Sequence, residues 1–543
     1  MPSIRLNRFL LTLSVIGLLL YSAISFLYSR GTEPELPTDN PAITKKQAAD
    51  SALAFLKERY RVHQADTYVV YQSKKERSGY LQKENLISAY LSAYNERYPI
   101  DYYEVSAKEG STGRRFTVDI NYMNSAVIGW REQSGSTGEA PMNAGKADTL
   151  AKVEMRQQGL DPADFAPVER ASTEDRAAGQ TTRYYEKQSQ PLGEAKLQLQ
   201  FDFDGTQLTG YTAGFSLPAS YTAWLEKQDA SASRMTWVSL GFSLIMTLAA
   251  IFYVIRYRKA MRFSRGLLLT AIYLLIYIGN NFNMYPAFRS VSGDMEPNLA
   301  AWASIIIMNI VTVLMAISLY LALVAGEGLW RLKGQPKWPF WKERTFGHEV
   351  FYAMGRGYLL ALFILGIQQV LFYAGAMRFD VWSVNDPTDS VLNMVKPQLF
   401  PTMAWVAAIS EEATYRLLGV IFFKKLFRSN FIAVLLPSVI WAASHTQYPI
   451  YPVYTRLIEV TIIGIILGYV FLNYGFITAL FAHACMDSIL MGLSLFSLGG
   501  TFDWMIGLIY IVLPGLVGWG LAWLHGKRRP PFTRGEPPRL EGL

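Results

Sequence analysis

Six ionisable side chains fall within three apolar stretches near the end of the chain, at spacings suited to acid–base chemistry. The first stretch, AAISEEATYRLLGVIFF, carries Glu411, Glu412 and Arg416. Glu412 and Arg416 are four apart, so a helix sets them on one face and lets them pair. Glu411 is turned away by about 100°. Arg416 is expected to neutralise Glu412, leaving Glu411 free to act on a water or a substrate as general base or acid. The second stretch, SVIWAASHTQYP, places Trp441 four residues before His445. The third, LFAHACMDSIL, places His483 four residues before Asp487. Asp487 either holds the His483 imidazole in one tautomer or projects with it into a cavity. An ionisable group inside a bilayer costs roughly 2.5–3.5 kcal/mol on insertion scales, so such groups turn to the protein interior or to water. One Glu–Arg pair, or one helical histidine, is usually structural. Six such groups in neighbouring runs, beside runs nearly free of charge, point to a shared polar cavity.

The elements that must position these groups are membrane helices. Of 543 residues, 51% are hydrophobic and only 17% are charged. A span needs roughly 20 apolar residues. Residues 9–28 form one such run, preceded by Arg5 and Arg8. With no small-x-small site after it, an uncleaved anchor is preferred to a signal peptide. Further candidates are 237–255, 266–284, 299–324, 358–377, 399–423, 431–447, 457–472, 476–496 and 504–524. The fold class is therefore a polytopic α-helical membrane protein of about ten spans, with a polar domain at 30–234 inserted after the first. Membrane helices fill 237–377, and 526–543 is a tail.

The net charge of +8 is not a nucleic-acid signature, because the basic residues cluster in short loops between apolar runs. Arg256 to Arg265, Arg331 to Arg344, Lys424 to Arg428 and Lys527 to Arg529 all fall on one side of the membrane. By the positive-inside rule that side is the cytoplasm. Both termini are then cytoplasmic and 30–234 is extracytoplasmic. Cys485 is the single cysteine, so a disulfide within the chain and a cysteine-based zinc site are excluded. It lies two positions from His483, on another face, and is not read as a nucleophile. His63 and His348 lie outside the spans. Arg456 and Glu459 are expected to pair at a membrane interface.

The inserted domain shows a weak internal repeat. Residues 42–60 and 144–159 read as amphipathic helices, the first with Thr44 as cap. Each precedes a strand hairpin, Thr117–Trp130 and Leu199–Tyr211, with alternating apolar residues and a turn signal at Asp204-Gly205. The pattern is similar to PepSY-like helix-plus-sheet modules, read as two α+β units without a catalytic role.

The series Glu411-Glu412-x-x-x-Arg416, Trp441-x-x-x-His445 and His483-x-x-x-Asp487, in this order on successive helices, resembles the CPBP family (CAAX proteases and bacteriocin-processing, or Abi, proteins). That family includes the type 2 CAAX prenyl endopeptidases. The resemblance covers about 350–525. It implies an intramembrane endopeptidase acting on a membrane-anchored protein or peptide within a lipid bilayer, with a bacterial cell membrane as its expected place. It implies that Glu411 activates the attacking water, that His445 helps to hold it, and that Glu412 and Arg416 support the geometry. His483 and Asp487 would stabilise the oxyanion. Trp441 stands where phenylalanine is commoner, and Asp487 where asparagine is common. An ionised aspartate cannot donate to an oxyanion, so orientation of His483 or metal ligation is the alternative role. Glu411, His445, His483 and Asp487 are the candidate ligands should zinc or another divalent metal bind. The HExxH pattern is absent, and a metal-free glutamate mechanism is preferred. Two other functions fit the same residues. An ion-coupled transporter would use the carboxylates as cation sites. A non-enzymatic immunity or scaffold protein would use them only structurally.

Overall fold

A computed structural model describes residues 8–31, 41–133, 142–169, 180–291 and 295–528. Among them, seven helices are long and apolar enough to cross a membrane. Two shorter apolar helices, Leu267–Asn283 and Asn430–Ala443, join them. Most of the helices overrun the expected spans. The second expected span, 237–255, is the end of one 38-residue helix, Ala219–Arg256. The boundary expected at residue 234 therefore falls inside a continuous helix. Polar residues such as Lys227, Asp229 and Arg234 hid its first half from a hydropathy reading, although nothing in them breaks a helix. The Arg8–Gly31 helix lies against the Phe346–Phe379 helix. Its backbones meet at Gly17 and Gly366, where an added Cβ would collide with the facing main chain.

The sheet domain is one eight-stranded antiparallel sheet: β1 (Ala65–Ser73), β2 (Asp101–Glu109), β3 (Arg115–Ile120), β4 (Val127–Gln133), β5 (Phe165–Val168), β6 (Gln180–Lys187), β7 (Lys196–Asp204) and β8 (Gln207–Ser216). The order is β1-β2-β3-β4-β8-β7-β6-β5. Two four-stranded halves thus meet edge to edge at β4 and β8. Helix Lys45–Tyr60 opens the first half, with Thr44 and Gln47 forming a capping box. Helix Ala144–Gln157 opens the second, capped by Asn143. Alternation along the strands buries Val105, Val118, Ile120, Leu199, Phe201 and Phe203 on one face. That face forms a core with Ala48, Ala52 and Leu56 of one helix and Ala147, Ala151 and Met155 of the other.

The sheet domain is fastened to one end of the helix bundle. Asn393, fully buried, accepts from the Tyr71 amide and donates to its carbonyl, both at 2.8 Å. Lys45 donates to the Leu392 carbonyl at 2.6 Å, and Lys75 pairs with Asp386 at 2.9 Å. The connecting segment also makes a short antiparallel ladder, Trp382–Ser383 with Ile450–Tyr451. It is therefore held to the sheet on one side and to the chain just after His445 on the other.

Candidate active site

The three polar stretches converge. Helix Met403–Glu411 ends at Glu411, and residues Glu412–Gly419 continue as a π-helix before α-helix resumes at Val420–Phe427. The single regular helix expected at 399–423 is thus broken at the polar residues, where π turns often mark functional positions. Neighbouring elements brace the break. Trp330 donates its indole N–H to the Leu417 carbonyl at 2.9 Å. At Gly326 a Cβ would come within 2.9 Å of the Leu417 backbone, so the helix Pro297–Leu332 can pack directly on the π turn.

Glu412 and Arg416 are both buried and meet at 3.1 Å. The Arg416 guanidinium also lies 4.2 Å from the centre of the Trp441 ring. Glu412 has a second partner, since His483 Nδ1 sits 2.9 Å from its Oε1. A carboxylate accepts, so Nδ1 carries the proton and donates. His483 Nε2 then faces Asp487 at 3.3 Å and Glu411 at 3.7 Å.

His445 lies two residues beyond the end of the Asn430–Ala443 helix, within the run expected to continue to 447. The helix tightens there, with the Ser444 and His445 amides donating three residues back, to Trp441 and Ala442. The imidazole folds back so that Nδ1 lies 2.9 Å from the Trp441 carbonyl. A carbonyl also accepts, so Nδ1 donates and the neutral ring keeps its lone pair on Nε2. That atom is 3.9 Å from Glu411 Oε1. The other Glu411 oxygen accepts from the Trp441 indole N–H. Exposure grades outward. The side chains of Glu412, Arg416 and His483 are at most 3% exposed, whereas Glu411 is 22%, His445 18% and Asp487 14% exposed. Glu411 therefore keeps an open side between two imidazoles, while Glu412 is closed off with its cation. One water making two hydrogen bonds of about 2.8 Å spans a gap of the size seen between Glu411 and His445.

The carboxylates and imidazoles are chemically able to bind a divalent ion. Among the described residues, however, no group of three or more His, Cys, Asp or Glu is gathered closely enough to hold one. Glu411, His445, His483 and Asp487 are the residues that would hold one.

Residues 395–489 match the family model for type II CAAX prenyl endopeptidase, Rce1-like. This stretch is Rce1-like. No curated protein and no solved structure matches the chain. The Rce1-like stretch contains every residue of the convergent site, from Glu411 to Asp487, and excludes the sheet domain. It also contains three contacts that spacing did not reveal. Trp441 acts through its N–H on Glu411 as well as through its ring. Tyr448 stacks on His445 with ring centres 5.8 Å apart and planes 13° apart. Arg456, whose guanidinium lies 5.4 Å from the Tyr448 ring centre, pairs with Glu459 at 2.6 Å. The expected pair thus forms, and its Glu459 end is buried and also accepts from Gln368. A second ionisable pair in the span following His445 was the available signal.

Proposed function

We propose that the protein is an intramembrane endopeptidase that hydrolyses a peptide bond of a membrane-anchored protein or peptide, with Glu411 as the base. The observation that carries this reading is the division between the two glutamates. Glu412 is ion-paired, hydrogen-bonded and sealed, while Glu411 is open to water and faces the lone pair of His445. The endopeptidase description of the matched family supports it.

In this mechanism a water donates one hydrogen bond to Glu411 and one to His445 Nε2. Its oxygen lone pair then points away from both, toward a substrate carbonyl. Glu411 takes a proton as the water oxygen bonds to the carbonyl carbon. The oxyanion forms against His483, whose orientation is fixed through Nδ1 by Glu412. One proton lies between His483 Nε2 and Asp487, and it can be shared with the oxyanion. Collapse of the intermediate breaks the C–N bond, and Glu411 returns its proton to the leaving amine. Asp487 thereby orients and tunes His483 and is not itself the donor.

The seven long helices, the two shorter ones and the broken Met403–Phe427 run together make ten crossings. With the basic loops in the cytoplasm, both termini lie there and the sheet domain lies outside. The test is hydrolysis of membrane-anchored peptides by purified protein in lipid, with and without chelator. Wild type cleaves in both conditions, and folded Glu411→Ala and His445→Ala lose at least about 100-fold each. Loss of wild-type activity with chelator replaces the glutamate mechanism by a metal one. Full activity in folded Glu411→Ala removes the assignment.

A further inference from the structure

The side of the membrane from which the site opens can be read from what is fastened to each end of the bundle. One end carries the sheet domain, the segment Asp380–Lys396 and the start of the Met403–Glu411 helix. The Leu267–Asn283 helix also ends there, through Asn283 bonded to Lys396 in both directions. So does the start of the last helix, through Gln398 and Asp503 at 2.6 Å. The opposite end gathers the basic loops. Arg265 donates to the Trp338 and Pro339 carbonyls, Lys337 to the Leu472 carbonyl, and Arg331 to that of Ala260.

The site belongs to the first end. Glu411 is eight residues into its run, about 12 Å of helix, but sixteen residues and roughly 20–24 Å from Phe427 at the basic end. Trp441 and His445 straddle the sheet-side end of the Asn430–Ala443 helix. Tyr448 stacks on His445 and is 49% exposed. Two residues on, Ile450 pairs with Ser383 of the segment that the sheet domain clamps. The least exposed members, Glu412 and Arg416, lie on the basic side of Glu411 and close the floor.

Resting on the peptidase reading, we infer that the substrate is the juxtamembrane segment of an anchored protein on the sheet-domain face of the membrane. A lipidated tail on the basic face has the buried Glu412–Arg416 pair and most of a helix length between it and Glu411. The opening instead lies beneath the sheet domain, on the face where an extended segment emerging from a neighbouring span reaches Tyr448 and His445 first.

Two arms test this in sealed proteoliposomes sorted by the face on which the sheet domain lies. In the first, a membrane-impermeant maleimide labels Tyr448→Cys or Arg344→Cys, with buried Cys485 as the unreactive background. Tyr448→Cys is expected to label from the sheet-domain face and Arg344→Cys from the other. In the second, one peptide library is fused to a single-span anchor on either side. Cleavage on the sheet-domain face alone is expected. Labelling of Tyr448→Cys from the Arg344 face, or cleavage on that face, overturns the inference while leaving a peptidase. No cleavage on either face in protein that folds removes the peptidase reading itself, and the substrate with it.

Discussion

Two carboxylate pairs occupy different halves of the molecule and are treated in opposite ways. In the bundle, Glu411 and Glu412 are consecutive, yet the fold parts them. The inner one receives Arg416 and His483, and the outer one receives Trp441 and His445 and stays partly exposed. In the sheet domain, Glu104 on β2 and Asp119 on β3 stand directly opposite each other. Like charges so placed repel. Gly129 lies beside them, where a Cβ would come within 3.1 Å of Asp119. Partial burial, and then the facing Asp119, push the Glu104 carboxyl up to about 7. Burial raises Asp119 as well, against the pull of Lys74 and Arg131. The difference teaches that adjacency of two acids does not fix their behaviour. A dedicated cation and hydrogen-bond donors for one acid release its neighbour for chemistry, whereas a pair without a dedicated cation responds to pH.

Substitutions that remove one side of this contrast sharpen it. The largest effect is expected from Arg416→Ala, which strands a buried carboxylate. The loss should be about 3–5 kcal/mol of stability, seen as a fall in the unfolding temperature or in folded yield. Full stability in this variant would mean that Glu412 is neutralised by its own proton or by His483. Next is Trp441→Phe, which keeps a ring under Arg416 but deletes the donor to Glu411. A charge-assisted hydrogen bond of about 1.4 kcal/mol corresponds to a roughly tenfold lower kcat with KM little changed. An unchanged kcat would show that Glu411 is oriented by its backbone alone. The third variant, Glu104→Gln, acts on the pH dependence of the sheet and not on hydrolysis. The folded protein holds the Glu104 proton more tightly than the unfolded chain, whose carboxyl has the ordinary value of 4.5. The associated stability is full below about 4.5 and is lost as pH rises through about 7. Amide exchange across β2 and β3 in the full protein, corrected for intrinsic rates, should therefore report a less stable sheet at pH 8 than at pH 5. The variant should flatten that slope, and equal slopes in both would break the comparison.

Much of the bundle was legible because charge is costly in a membrane. The rarity of ionisable residues singled out Glu411, Glu412, Arg416, His445, His483 and Asp487, and helical spacing paired Glu412 with Arg416 and His483 with Asp487. What escaped was set by tertiary structure. The π turn at Glu412–Gly419 has no local sequence signal, being supported by Trp330 and Gly326 of a distant helix. Position 445 lies at helical spacing from Trp441, yet the helix stops at Ala443. Arg456 and Glu459 pair as their spacing suggests, but the further bond from Gln368 to Glu459 comes from another helix and leaves no local signal. In the sheet domain, alternation revealed the strands between Thr117–Trp130 and Leu199–Tyr211, and Thr44 announced its helix. The joining of the two halves through Gly129, Trp130 and Arg131 against Thr212, Tyr211 and Gly210 depends on backbone pairing that leaves no pattern in either strand alone.

The central claim is that Glu411 performs the chemistry that Glu412 is held back from. The most direct test is the hydrolysis rate of Glu411→Gln against wild type in lipid, on one anchored peptide, with the unfolding temperature measured on the same samples. A glutamine keeps the shape and still accepts from Trp441, but it cannot take a proton from water. The account predicts a fall in kcat on the order of 10²–10⁴-fold at unchanged unfolding temperature. Hydrolysis by Glu411→Gln at the wild-type rate would contradict it.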